Sequence, residues 1–489
     1  MLWCRPVPVA VLCASALLAG CGSGGSAAGR TPAVVTATVA AGSPATTTAP
    51  AVTGAPATAA PTTTTAEGDW GSYHLDAAHT GYDAATPPVG RLATAWTMKT
   101  DGAVYASPLV VGGLAVVATE ADSVYAADVT TGAPRWHVRL GTPVPVADLP
   151  CGNVDPLGIT GTPAYDAATG RIFVVAVTRS GGHLVHTLYG LDAKTGTVEV
   201  THAVDAPDQD PDVMNQRGAL AVSRRMVYIP YGGHAGDCGS YHGTVVGVAT
   251  SGAGALVTYR VPTQREAGIW TPGGIAVDGS GDLYVAVGNG AAGQDGGLED
   301  APYDSSDAVT KLSPDLHPLS SFTPTGWRQE NAVDADLGST GPLLVGPYLW
   351  IQGKAATGYV LRQSDLGGIG GSVSTVQACA KQLGGAAAHG MTVYAPCTDG
   401  LRQVTIDAAG TAAAGWRAPS SVTGSPVVGG GAVWSLDVRA GVLYALDEAT
   451  GRVLQTIKVG TVTRFATPAL HGALALVPTV TGLTAVSGA

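Results

Sequence analysis

The sequence predicts an all-β protein, an eight-bladed β-propeller with four-stranded blades. An N-terminal strand closes the ring, and a disordered N-terminal stalk precedes it. Three observations lead to this prediction. Two short phrases alternate along the chain, their spacing is close to the length of one propeller blade, and no stretch shows the periodicity of an amphipathic helix.

The first phrase opens a strand. It consists of a small or hydroxylated residue, often followed by proline, and then apolar residues. This pattern is typical of a short strand that begins directly after a turn. A degenerate copy near Gly385 completes the series. The clear copies begin at Ser107, Thr162, Gly218, Thr271, Thr340, Gly424 and Thr467.

The second phrase is clearest at Val442–Gly451, where alternating apolar residues run into Asp-Glu-Ala-Thr-Gly. Strict alternation predicts a half-buried strand, and Asp-x-x-Thr-Gly suits a tight turn in which Asp accepts backbone N–H bonds and Gly supplies positive φ. We expect this phrase to form the third strand of each blade. Related copies end at Asp128, Asp192, Thr250, Ser313, Ser364, Asp407 and Ser487.

The number of copies and the end of the chain predict how the ring closes. Eight copies between Leu92 and Ala489 give about 50 residues per unit, near the length of a four-stranded blade. The eighth copy lacks an outer strand after it. The segment Leu92–Thr97 resembles the outer strands around Trp136 and Trp416, so we expect it to supply the missing strand.

The N-terminus predicts export. The apolar run Val7–Gly20 is too short to span a bilayer but fits a signal peptide, so residues 1–20 are predicted to be a lipoprotein signal. Leu18–Cys21 resembles the bacterial lipobox, which predicts lipid on Cys21 and a place on the outer face of the cell membrane. The alternative is an ordinary secretory signal that contains a cysteine.

A low-complexity linker follows the signal. From Gly22 to Ala66, every residue except Arg30 is Gly, Ser, Ala, Thr, Pro or Val, a composition that cannot bury a core. Residues 21–66 are therefore predicted to form a stalk with an end-to-end distance of about 35–40 Å. The propeller is predicted to occupy residues 67–489.

Composition and motifs exclude several function classes. The net charge of −11 describes an acidic surface that would repel the phosphates of nucleic acid. No Gly-x-Ser-x-Gly, P-loop or His-Glu-x-x-His motif is present. The sequence therefore gives no local support for a hydrolase of that type, a nucleotide-binding protein or a zinc protease.

Four of the seven cysteines remain after the signal and Cys21 are set aside. In an oxidising compartment we expect them to pair. Cys379 and Cys397 flank a hairpin-sized stretch and are predicted to form one bridge, which leaves Cys151 with Cys238 by elimination.

The Tyr-Ala-Leu-Asp-x-x-Thr-Gly phrase, the Ser/Thr-Pro starts and the Trp-containing outer strands resemble the quinoprotein (PQQ-like) propeller superfamily. The resemblance covers residues 69–489. Trp70, Tyr73 and the segment His79–Tyr82 resemble a lead-in that packs on the ring. The superfamily contains dehydrogenases, which hold calcium and pyrroloquinoline quinone in the funnel, and scaffolds that bind no cofactor.

For the dehydrogenases, the resemblance implies a calcium ion that acts as a Lewis acid and an aspartate that takes the substrate proton. Three positions keep the family residue type: Trp270 resembles the aromatic floor, Asn289 the amide ligand of the metal, and Asp336 the catalytic base. Two other positions differ from the residue types of the dehydrogenases. Cys238 stands in place of the ligand glutamate, and Gly152 removes the second of two paired cysteines.

Both departures involve the predicted Cys151–Cys238 bridge, which suggests that a disulfide has replaced part of the cofactor site. Trp270, Asn289 and Asp336 then serve turn and packing roles, since half a calcium site binds little. Two acidic stretches, Asp205–Asp212 and Asp295–Asp307, are interpreted as solvated loops before calcium sites. His74 and His79 are interpreted as packing residues, because no Cys or Asp cluster accompanies them.

The sequence therefore predicts a monomeric, membrane-anchored propeller that binds an envelope protein or glycan, with no quinone or metal cofactor. An alternative is an alcohol or sugar dehydrogenase that depends on PQQ and calcium, with Asp336 as base and Trp270 and Asn289 at the cofactor. A third possibility is a role like that of envelope-assembly propeller lipoproteins, which hold partner strands at their edges.

Overall fold

The computed structural model describes residues 68–294 and 296–489. The predicted signal peptide of residues 1–20, the lipidated Cys21 and the linker of residues 21–66 lie outside the described residues and stay predictions. In the described part of the chain, no helix has the length and apolarity needed to cross a bilayer.

The described chain folds into eight antiparallel blades, which confirms the predicted fold class. The first strand of a blade is buried, as in Leu109–Val111, whereas the fourth is partly exposed, as in Pro134–Arg139. The first strand is therefore innermost.

The strands of blades 1 to 4, from the inside outwards, are Leu109–Val111, Leu114–Ala118, Ser123–Asp128 and Pro134–Arg139; Ala164–Asp166, Arg171–Ser180, His183–Asp192 and Val198–Ala203; Ala221–Ser223, Met226–Gly233, Thr244–Ala249 and Val257–Arg260; and Ala276–Val277, Leu283–Val287, Ala308–Leu312 and Pro318–Thr323. Those of blades 5 to 7 are Leu343–Val345, Tyr348–Gln352, Thr357–Arg362 and Ser374–Gln377; Ala387–His389, Thr392–Ala395, Arg402–Ile406 and Ala412–Arg417; and Val427–Gly429, Ala432–Asp437, Val442–Asp447 and Val453–Lys458. Blade 8 has Ala469–His471, Leu474–Thr479 and Gly482–Ser487, with Ala93–Lys99 as its outer strand.

A few short elements lie outside this pattern. Three two-residue strands extend blades 7, 3 and 4, namely Tyr82–Asp83, Met214–Asn215 and Gly368–Ile369. The six-residue helix Trp327–Ala332 and the 3-10 turns Val146–Asp148, Pro211–Val213 and Leu337–Ser339 lie in loops. The helix was not predicted, because its single turn and a half is too short to show periodicity.

The ring is closed by the predicted N-terminal strand. Ala93–Lys99 pairs antiparallel with Gly482–Ser487, with Ala93 opposite Ser487 and Lys99 opposite Gly482. The strand begins one residue later and ends two residues later than the predicted segment. This pairing covers an edge that would otherwise be open.

The repeated turn joins neighbouring blades. Asp192 Oδ1 accepts hydrogen bonds of 2.8 Å from the backbone N–H and the hydroxyl of Thr195. Gly196 follows with φ of +72°, and a Cβ on it would lie 2.6 Å from the ring of Trp136 in blade 1. The Trp136 indole donates to Ala193 O at 3.1 Å. The same contact recurs between Trp96 and Gly132 and between Trp416 and Gly451.

The apolar core lies between neighbouring blades. Val116 and Ala118 of blade 1 pack in one cluster with Ile172 and Val174 of blade 2, and all four are fully buried. Because each blade presents one face to each neighbour, burial is continuous around the ring, and no blade can bury its apolar faces alone.

Residues 69–83, here called the lead-in, cover the face of the ring where the inner strands end. Trp70, Tyr73 and His74 are buried, as predicted for packing residues. Backbone carbonyls of the lead-in accept hydrogen bonds from the second residue of six inner strands. These donors are Val110, Tyr165, Val277, Leu344, Ala388 and Val428, at 2.7–3.1 Å. The lead-in thus ties together blades 1, 2, 4, 5, 6 and 7.

The two lead-in histidines are uncharged packing residues. Burial lowers the pKa of His74 to about 3, with a smaller effect of His79 in the same direction. Burial also lowers the pKa of His79 to about 4. The His74 ring stacks on Tyr73 with ring centroids 4.2 Å apart.

Candidate functional site

The opposite face of the ring opens into a funnel with a cavity volume of about 670 Å³. Its walls come from loops that precede the inner strands, such as Trp270, and from loops that follow the second strands, such as Asn289. Since the inner strands run from this face to the lead-in, the funnel and the lead-in lie at opposite ends of the central channel. The volume is in the range of pockets that hold small ligands.

The structure brings Trp270, Asn289 and Asp336 together, since all three line this cavity. Trp270 lies in the loop before blade 4, and Asn289 follows Leu283–Val287 of that blade. Asp336 directly precedes the turn Leu337–Ser339, and its side chain is 2% exposed.

Two oxygen atoms of this group have no hydrogen-bond partner. Asn289 Nδ2 donates to Asp334 Oδ1 at 3.2 Å, but Asn289 Oδ1 is buried without a donor. Asp336 Oδ1 is likewise buried and unpaired among the described residues. A buried acceptor without a partner is costly, so both atoms are suited to accept a hydrogen bond from a ligand.

Lys354 forms ion pairs with two aspartates of the funnel, Asp334 and Asp336. Lys354 was not predicted from the sequence as a site residue. Its ammonium lies 2.9 Å from Asp336 Oδ2 and also contacts Asp334 Oδ1. Burial raises the pKa of Asp336 more than Lys354 lowers it. Burial alone would lower the pKa of Lys354, but Asp336 and Asp334 raise it above its ordinary value. Asp336 is therefore easier to protonate than an ordinary aspartate, and its protonation would remove the ion pair with Lys354.

Glu266 is a second site residue that sequence reasoning missed. Its Oε1 accepts from Arg265 Nε at 3.1 Å, and its Oε2 accepts from Gln294 Nε2 at 2.6 Å. Burial raises the pKa of Glu266, and Gln294 and Arg265 oppose that shift. Its backbone has φ of +66°, which is unusual for glutamate. Its position four residues before Trp270 was the available signal.

Both predicted disulfides are confirmed. Cys151 is bonded to Cys238 with a Cα–Cα distance of 6.0 Å, and Cys379 to Cys397 with the same distance. The Cys151–Cys238 bridge joins the loop between blades 1 and 2 to a loop of blade 3. Asn153 and Asp237 beside it line the cavity, whereas the two cysteines do not. The bridge therefore holds the mouth of the funnel and does not occupy its interior.

A cationic group lies at the base of the funnel, where no site residue was predicted. Arg217 Cζ lies 4.7 Å from the centroid of the Phe465 ring and 5.9 Å from that of Trp270. Arg464 Cζ lies 5.8 Å from the Phe465 centroid. Charges at such positions follow no local pattern in the sequence, because loops of different blades bring them together.

The calcium and quinone of the dehydrogenases that the sequence resembles would need a full set of oxygen donors in this funnel. Calcium prefers six to eight oxygen ligands. The position matched to the ligand glutamate is Cys238, whose sulfur is bonded to Cys151, and Asp336 is already paired with Lys354. Among the described residues, groups of three metal-ligating side chains with ligand atoms within 4.8 Å occur outside the funnel. The position matched to the ligand glutamate therefore offers no carboxylate, whereas Asn289 Oδ1 and Asp336 Oδ1 remain unpaired among the described residues.

The acidic stretch Asp205–Asp212 serves local structure. Asp205 Oδ1 accepts from the backbone N–H of His186 at 2.9 Å, and Asp210 accepts from the N–H of Asp212 at the turn Pro211–Val213. In the second stretch, Asp304 binds Thr263, Ala292 and Ser306. Asp295 lies outside the described residues. These contacts agree with the interpretation of both stretches as loops.

Comparison with known proteins supports the repeat and the fold. Residues 93–293 match the model of a family described as outer membrane protein assembly factor BamB. No curated protein sequence matches the chain.

Three solved structures show what the fold is similar to. A europium-containing methanol dehydrogenase has a TM-score of 0.67 at 17% identity, covering 86% of this chain and 98% of that one. The quinohemoprotein alcohol dehydrogenase from Comamonas testosteroni has a TM-score of 0.64 at 16% identity, covering 86% and 80%. BamB from Moraxella catarrhalis has a TM-score of 0.53 at 15% identity, covering 81% and 99%. At these identities the likeness concerns the fold alone. Together with the repeats, it identifies the described domain as an eight-bladed β-propeller whose fold is similar to that of these three proteins.

Proposed function

We propose that this chain is a membrane-anchored extracytoplasmic propeller that binds an envelope component, a protein or a glycan, in its funnel, and that it has no intact quinone site. One observation carries the proposal: the funnel is an open cavity of about 670 Å³ whose walls hold aromatic, charged and unpaired polar groups. A cavity with a few convergent polar groups is the usual form of a ligand site.

The location of the protein is part of the proposal. The predicted signal peptide and the predicted lipid on Cys21 place the propeller outside the cytoplasm, on the outer face of the cell membrane. The Cys151–Cys238 and Cys379–Cys397 disulfides support this placement, since such bridges persist in oxidising compartments.

An array of envelope glycans and peptides probed with labelled mature protein tests the binding function. We expect Trp270→Ala and Asp336→Asn to lose the signal that the wild type gives. Leu319→Ala, at a residue 53% exposed on the outer strand of blade 4, serves as the control and should bind normally. Loss of binding in Leu319→Ala, with normal binding by the funnel variants, would instead place the partner at a blade edge.

The second candidate is a quinone-dependent alcohol or sugar dehydrogenase. It is favoured by the convergence of Trp270, Asn289 and Asp336 on one cavity, with Asp336 Oδ1 available as a proton acceptor. Dye reduction in the presence of quinone, calcium and an alcohol or sugar, abolished by Asp336→Ala, would establish it. Absence of turnover across these substrates would leave the binding function.

A further inference from the structure

Arg217, at the base of the funnel, carries a charge that no carboxylate balances at close range. It lines both the funnel and a small cavity of about 10 Å³ that reaches Tyr73 of the lead-in. Among residues 68–294 and 296–489, no carboxylate oxygen lies within 4.0 Å of its guanidinium nitrogens, and no protein acceptor forms a hydrogen bond with them. Five donors are thus left for water or a ligand.

A second guanidinium adds to this positive charge. Arg464 is exposed, and Arg217 and Arg464 each lie within 6 Å of the Phe465 ring, at 4.7 and 5.8 Å. Burial lowers the pKa of Arg217, and the like charge of Arg464 adds a smaller effect in the same direction, while Glu120 opposes both. Two cations at the end of a concave cavity attract an anion.

Among the described residues, no carboxylate of the funnel forms an ion pair with Arg217 or Arg464, and each has another hydrogen-bond or ionic partner. Asp237 accepts from the Tyr241 hydroxyl at 2.7 Å. Glu266 is paired with Arg265, and Asp334 and Asp336 share Lys354. The acidic groups belong to loops of blades 3 to 5, so the funnel has an acidic side separate from the Arg217–Arg464 pair.

We propose that Arg217, Arg464 and the Phe465 ring form an oxyanion subsite that takes a carboxylate or phosphate of the ligand. The guanidinium fork matches the geometry of both anions, and Arg217 Cζ lies 4.7 Å from the centroid of the Phe465 ring, within cation–π range. The subsite deepens the proposed function, on which it rests, by giving the chemical class of the ligand: a small molecule, or the end of a larger one, that carries an oxyanion.

Thermal melting and calorimetry of the mature protein at constant ionic strength test the subsite. The probes are glucuronate, its uncharged match glucose, and inorganic phosphate. In the wild type we expect a saturable rise in Tm with glucuronate or with phosphate that exceeds the response to glucose. Arg217→Gln should weaken that binding about 10- to 100-fold, whereas Arg439→Gln, at an exposed arginine outside the cavity, should leave it unchanged.

A second readout does not depend on the choice of probe. Without ligand, Arg217→Gln should melt about 1–3 °C higher than the wild type, because the variant no longer buries an unpaired charge. A lower Tm for the ligand-free variant, or unchanged anion affinity in it, would overturn the subsite.

The arms of the experiment separate the possible results. A response to glucuronate alone assigns a carboxylate ligand, and a response to phosphate alone assigns a phosphate ligand. No anion response in the wild type contradicts the subsite. Array binding that depends on Trp270 but persists in Arg217→Gln removes the subsite and keeps the funnel function, whereas array binding independent of Trp270 removes the funnel function itself.

Discussion

The two faces of the propeller differ in whether their unpaired polar groups line an open cavity. Among the described residues, Trp70 Nε1 and both ring nitrogens of His74 are buried and unpaired within the packed lead-in, whereas the unpaired groups of the other face line the funnel. On the lead-in face, six inner-strand amides donate to lead-in carbonyls, and Trp70 and Tyr73 are buried beneath them. On the funnel face, Arg217, Asn289 Oδ1 and Asp336 Oδ1 have no partner among the described residues.

This difference indicates that the two faces of the propeller have different roles. Backbone hydrogen bonds and buried aromatic rings stabilise the lead-in face, so the ring tolerates unpaired groups on both faces. Unpaired buried groups lower stability, and they persist where a ligand completes them. The lead-in face is therefore structural, and the funnel face is the candidate functional face.

Deleting residues 92–97 has the largest expected effect, because it opens the ring that supports both faces. The deletion removes most of the strand that pairs with Gly482–Ser487 and leaves blade 8 with an open edge. We expect the variant to lose cooperative unfolding in calorimetry. A melting profile equal to that of the wild type would show that this strand does not close the ring.

Replacing one tryptophan on each face compares the two directly. Trp70→Ala empties a fully buried site and should lower the free energy of unfolding by about 3–5 kcal/mol. Trp270→Ala, at a partly exposed position, should cost less than about 2 kcal/mol and abolish ligand binding. Denaturant unfolding measures both; equal losses would mean that the funnel wall is as structural as the lead-in.

Removing each disulfide tests what the bridge at the mouth contributes. The sequence separation is 87 residues for Cys151–Cys238 and 18 for Cys379–Cys397. Loop entropy predicts that the double serine variant of the first pair loses about 1 kcal/mol more than that of the second. Denaturant unfolding in parallel measures this difference, and a larger loss from the Cys379–Cys397 variant would show that strain or packing dominates.

The pH dependence of stability tests a single buried carboxyl group on the funnel side. Glu120 is buried, with Oε2 accepting from Gly158 N at 2.8 Å, and burial raises its pKa to about 7, against hydrogen bonds and Arg217 that lower it. The native state therefore keeps a proton that the unfolded state releases. This contribution to stability is complete below the unfolded pKa of 4.5 and declines as the pH rises through about 7.

Glu120→Gln should remove this decline and be about 1–3 kcal/mol more stable than the wild type at pH 8. Unfolding at pH 5 and pH 8 measures the difference, with the exposed Glu299→Gln as the control. Asp122, whose pKa burial raises to about 8, retains some pH dependence in the variant. An unchanged pH profile would mean that Glu120 is ionised in the folded protein.

The sequence predicted the features that repeat and missed those that arise between blades. Asp192, Thr195 and Gly196 lie within five residues, so their turn is encoded locally and its copies count the blades. The pairing of Cys379 with Cys397 followed from their spacing, and that of Cys151 with Cys238 followed by elimination. In contrast, Lys354 and Asp336 are 18 positions apart, and Arg217 and Phe465 far more, so only the closed ring brings them together.

The most direct test of the funnel assignment is a calorimetric titration of the mature protein with pyrroloquinoline quinone in the presence of calcium. Since Cys238 is bonded to Cys151 and Lys354 is paired with Asp336, we predict no saturable uptake at micromolar concentrations. Stoichiometric, tight uptake that is lost in Asn289→Ala would contradict the proposal and identify the funnel as a quinone site.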